Sequence, residues 1–196
     1  MHLVFDIFTG VGLAAAVGIR PFLPALAAGA LAAGDVEIHF GGTEFSFLQS
    51  AGFLLAIAVA AVLLVLAERR FGAEPIEKES LRLPLGAVAV ALGALLFAGS
   101  LARGHYAAWP GIVGGVLCAA VAILATAPLL ARVRARLDRE AAGTLSAYAE
   151  GVALLLAVLS VVAPPVGLIG FVWLVWLALA GRRREGQKYA GLRILR

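Results

Sequence analysis

The chain alternates between long apolar blocks and short charged connections. Residues 47–67, 84–102 and 109–131 each have the length of one helical crossing of a ~30 Å hydrocarbon core. The first and last blocks are longer. At 1.5 Å per residue, residues 3–33 would span roughly 45 Å as a straight helix and residues 147–180 roughly 50 Å. Prolines interrupt both near the middle: Pro21 with Pro24 in the first, Pro164-Pro165 in the last. Proline removes a backbone donor and disfavours helix at the residue before it, so each long block predicts two shorter helical pieces. The expected fold is an all-α polytopic membrane protein. Three plain transmembrane helices are flanked by two proline-broken, hairpin-like segments.

Composition agrees with this pattern. The chain is 62% hydrophobic and 14% charged, with a mean hydropathy of +0.99, which sets it apart from soluble domains. Its 196 residues suit one transmembrane domain, residues 1–181, followed by a basic tail, 182–196. A net charge of +4 would suggest nucleic acid in a soluble protein. Here the arginines flank apolar segments, as in cytoplasmic loops, and no nucleic-acid partner is expected. Cys118 stands alone, which leaves no intrachain disulfide and no thiolate metal site. The N-terminus lacks Lys and Arg, unlike a cleaved signal peptide.

Charge in the connections orients the chain. Residues 33–46 carry acids and no Lys or Arg, and residues 103–108 carry one Arg; both are expected outside. Residues 68–83 and 132–146 are rich in Arg and Lys and are expected inside. The tail, with Arg182, Arg183, Arg184 and Lys188, belongs inside too, which requires the last block to go in and return. The resulting expectation is a multi-pass protein of a bacterial inner membrane with its C-terminus cytoplasmic. The first block fits either a hairpin entered from outside, which is favoured, or one broken crossing. Residues 132–139 are expected to continue the preceding helix beyond the membrane, placing Arg132 and Arg136 on one face.

Candidate chemistry centres on Arg20, in Gly18-Ile19-Arg20-Pro21. A guanidinium at membrane depth costs several kcal/mol unless it is paired or faces a polar cavity. Pro21 suits the start of a helix, whose free N–H groups and dipole would add to the positive field of Arg20. Gly18, Arg20, Pro21 and Glu150 are therefore the candidate substrate-binding residues, and the ligand expected is an anionic lipid or a small anion. The competing reading makes Arg20 the structural partner of a carboxylate. Glu150 matches it in depth, and Asp6 is the second choice. Arg132, Arg134 and Arg136 form a basic flank able to hold lipid headgroups. His2, His39 and His105 are scattered, no enzyme signature is present, and neither metal nor cofactor is expected.

The run from Gly12 to Ala27, including Gly18-Ile19-Arg20-Pro21-Phe22-Leu23-Pro24, resembles the opening of a membrane-protein family catalogued as domain of unknown function number 4126. The resemblance implies an acidic residue near the start of the last apolar block, where Glu150 stands, and a proline-interrupted end, as at Pro164-Pro165. It also implies an acidic turn after the second block, from which Glu68-Arg69-Arg70-Phe71-Gly72 departs. It brings no activity with it. Two functions are therefore carried forward. One is a small transporter or lipid translocase with an anion-selective site at the broken helix. The other is a non-transporting scaffold in which Arg20 and Glu150 pair, with membrane lipids as partners and room for a homo-oligomer.

Overall fold

The computed structural model describes residues 3–71, 79–137 and 139–190. Among these residues there are seven α-helices, a 3-10 turn at Ser46–Gln49 and no strand. The helices are α1 (Leu3–Ile19), α2 (Phe22–Ala33), α3 (Ala51–Phe71), α4 (Glu79–Arg103), α5 (Trp109–Arg134), α6 (Arg139–Val162) and α7 (Pro164–Ala190). Five of them, α3 to α7, are long and apolar enough to cross a membrane, so this is a multi-pass membrane protein.

The core is built around α1. Residues 9–18 are all buried, as expected of a helix apolar on every side. It packs against α4, α5, α6 and α7, which wrap it in turn. Small residues allow this approach. A methyl group at Gly12 would sit 2.6 Å from the Gly167 Cα on α7, and one at Gly18 would sit 2.6 Å from the Ala119 carbonyl on α5. Close backbone contact of this kind replaces the hydrophobic driving force that lipid does not provide. α2 packs on α6 and α3, whereas α3 rests mainly on α2 and the 3-10 turn and exposes Leu55, Val59, Val62, Leu63 and Leu66.

Pro21 caps α2, so the first block breaks where its prolines require. The first block folds back on itself as a hairpin. Arg103 touches both Asp6 at the start of α1 and the Glu37 carbonyl just beyond α2, so the two ends of the block lie on one side. α2 has 12 residues, about 18 Å, and does not reach across by itself. Residues 34–50 fill the remaining depth by burying Ile38, Phe40, Phe45 and Leu48 in the mouth of the bundle. The last block breaks at Ala163, and α6 and α7 pack on each other as the predicted pair. Both are longer than the pieces expected, at 24 and 27 residues.

Several boundaries differ from expectation. The second block starts as the 3-10 turn, extends at Ser50 (ψ 145°), and becomes helical only at Ala51. α3 then continues through Glu68 to Phe71. α4 begins at Glu79, so Pro84 lies inside it. α5 ends at Arg134, and a turn over 135–137 precedes α6. Arg132 and Arg136 therefore do not share one helix face. The start of the basic tail is the last part of α7, while residues 191–196 lie outside the described residues.

Candidate functional site

The break between α1 and α2 places Arg20 at one end of the bundle, with its backbone N–H donating to Ala16 at 3.2 Å to finish α1. Its guanidinium then joins two other helices, α3 and α6. Nη1 donates to Glu68 Oε1 on α3 at 2.8 Å, and Nη2 donates to Ser146 Oγ on α6 at 2.6 Å. Nε faces Glu150 Oε1, one turn further along α6, at 3.8 Å. Arg134, the last residue of α5, donates from Nη2 to the same Ser146 Oγ at 3.3 Å. One hydroxyl oxygen has two lone pairs and so serves both guanidiniums. Glu150 Oε2 is buried without a hydrogen-bond partner among the described residues.

Beside this network lies a cavity of about 280 Å³. Its polar wall is Arg20, Glu68 and Arg134, with Thr126, whose hydroxyl donates to the Ala122 carbonyl at 2.7 Å. Its apolar walls come from α3, α4 and α5. The four charges Arg20, Arg134, Glu68 and Glu150 balance as a group, but Glu150 is not on the wall. The wall presents two guanidiniums against one carboxylate and is cationic.

The opposite end of α1 is different. Asp6 is fully buried and accepts from Arg103 Nη2 at 2.5 Å. Arg103 Nη1 donates to the Glu37 carbonyl, and Ser100 Oγ donates to the Asp6 carbonyl at 3.2 Å. A methyl group at Gly104 would lie 2.6 Å from Asp6 Oδ2, so the turn after α4 needs glycine to close over the carboxylate.

The structure thus brings Arg20 and Glu150 together and sends Asp6 to Arg103. Pro21 and Gly18 border the cavity, and Gly18 also seats α1 on α5. Of the basic flank, Arg134 enters the cluster. Arg136 is exposed, and Arg132 is exposed with Nε donating to the Pro128 carbonyl. Sequence reasoning missed Glu68, the acid closest to Arg20 among the described residues. Its position one residue past the predicted end of an apolar span was the available signal. Arg103 was missed as the partner of Asp6, although it is the only Arg expected on that side.

The sequence profile described as Domain of unknown function (DUF4126) matches residues 7–184. The chain belongs to this family. No curated protein and no solved structure matches it. The DUF4126 match covers every residue of the Arg20 cluster: Arg20, Glu68, Arg134, Ser146 and Glu150.

Proposed function

We propose that this DUF4126 protein is a small membrane transporter or lipid translocase that takes an anionic group at Arg20. The observation that carries this reading is the cavity, which reaches Arg20 and Arg134 and has a cationic wall. A partly enclosed site of low dielectric strengthens each charge–charge contact relative to water. An incoming phosphate or carboxylate would compete with Glu68 for Arg20. Glu68 suits an exchangeable counter-ion because it rides on α3, which is held mainly by α2 and the 3-10 turn. The distribution of Arg and Lys supports placing this end on the cytoplasmic side. The C-terminal segment follows it, since a methyl at Gly181 would lie 3.5 Å from Arg132 Nη2.

Arg20→Lys tests the proposal. Lysine keeps the charge but lacks the planar fork that binds phosphate or carboxylate through two parallel hydrogen bonds. Native mass spectrometry of delipidated protein given short-chain phosphatidylglycerol should show about tenfold weaker retention, equivalent to ~1.4 kcal/mol. Thermal stability should change little. Unchanged retention would refute the site.

A second reading makes the protein a scaffold, with Arg20 as a structural tie. It is favoured by one observation: each guanidinium nitrogen of Arg20 already faces a protein oxygen. Under that reading Arg20→Lys leaves lipid retention intact and lowers stability.

A further inference from the structure

We infer that the occupant of the Arg20 cavity is a membrane lipid with a phosphate headgroup, admitted sideways from the bilayer between α3 and α4. This rests on the anion-binding reading above and adds what the ligand is and how it arrives.

The shape and chemistry of the cavity divide into two parts. The polar part is Arg20, Glu68 and Arg134 at one end of the bundle. The apolar part runs away from it along α5, through Leu130, Ala127 and Ile123. From Arg134 to Ile123 is about 16 Å of helix, close to half of a ~30 Å hydrocarbon core, which is the depth of one leaflet. A free inorganic anion would use only the polar end and leave this apolar wall unmatched. An acyl chain buries it.

The entry follows from how α3 is held. Its main packing is on α2 and the 3-10 turn, while α4 packs on α5 and α1. Between α3 and α4 the cavity is bordered by Leu64 on one side and by Leu85, Gly86 and Ala89 on the other. A methyl built at Gly86 meets no atom of the described residues within 4 Å, so they leave open space along the α4 wall. Leu64 precedes Glu68 by one turn on the same face of α3. The helix that supplies the counter-ion of Arg20 therefore also forms one side of the opening. A phosphate that takes over Arg20 releases Glu68, and with it the tie that holds α3 against α1.

The test uses full-length, delipidated protein in detergent, titrated separately with inorganic phosphate and with dioctanoyl phosphatidic acid, with native mass spectrometry as the readout. The lipid should bind at least about tenfold more tightly than inorganic phosphate, the worth of roughly two buried methylenes. Gly86→Trp fills the gap on the α4 side and should weaken the lipid about tenfold while changing phosphate by less than about twofold. Leu64→Trp, on the opposite wall, should do the same and covers the case in which the first variant fails to fold. Arg20→Gln should remove both ligands.

Equal affinity for phosphate and lipid, with both tryptophan variants silent, overturns the lipid and its sideways entry but leaves the anion site standing. Lipid retention insensitive to Arg20→Gln means attachment to the outer apolar surface and overturns both readings.

Discussion

The two ends of α1 each meet an ion pair, but the pairs differ in burial and in what lies beside them. At one end Asp6 is sealed completely, Arg103 ties it to the segment after α2, and Phe40 and its neighbours fill the mouth of the bundle. At the other end Arg20 is shared among α3 and α6, its side chain keeps 12% of its surface exposed, and a cavity lies alongside. A buried charge does not by itself mark a binding site. What separates the two ends is whether the space beside the charge is filled by the chain's own side chains.

The largest expected effect tests the sealed end. Arg103→Gln leaves Asp6 buried and without its cation, at a cost of roughly 3–5 kcal/mol. Thermal unfolding in detergent should show a much larger loss for this variant than for Arg20→Gln, whose neighbours can relax toward the cavity. Equal losses at the two ends would break the comparison and return Arg20 to a purely structural role.

A middle-sized effect concerns the network itself. Arg20→Gln and Glu68→Gln should be coupled by about 1 kcal/mol in a double-mutant cycle, because they share a direct hydrogen bond at 2.8 Å. The coupling of Arg20 with Glu150 should be weaker, since that contact is 3.8 Å and lacks a hydrogen bond. A stronger coupling to Glu150 would mean that Glu68 is not the principal counter-ion. The smallest effect belongs to Arg136→Gln, which removes an exposed charge outside the cluster and should leave the unfolding temperature unmoved.

Much of this architecture was legible because proline and charge act locally. Pro21 and Pro164 mark breaks from their own chemistry, and the Arg-rich connections sort the helix ends into two groups. The depth of Arg20 and Glu150 could be estimated from helical rise, and the two residues do meet. Glu68 was harder. It follows an apolar run and precedes Arg69 and Arg70, so the polar sequence read as a loop although the helix runs on to Phe71. Apolarity ends where the membrane contact ends, but a helix stops only when its backbone finds other partners. The Asp6–Arg103 pair was hidden for another reason. It joins residues 97 positions apart, and no local pattern in either segment specifies the other.

The central position of α1 has a consequence for biogenesis. Ribosomal synthesis makes this helix before the helices that pack on it, and Glu68 follows Arg20 by 48 residues and Ser146 by 126. At 5–20 residues per second the guanidinium waits roughly 6–25 s for its last hydrogen-bonding partner. During that interval the helices that will enclose α1 are still emerging, and an unpaired charge resists burial in lipid. A helix translated ahead of its neighbours is therefore fully seated only when α6 and α7 arrive and close the bundle over it.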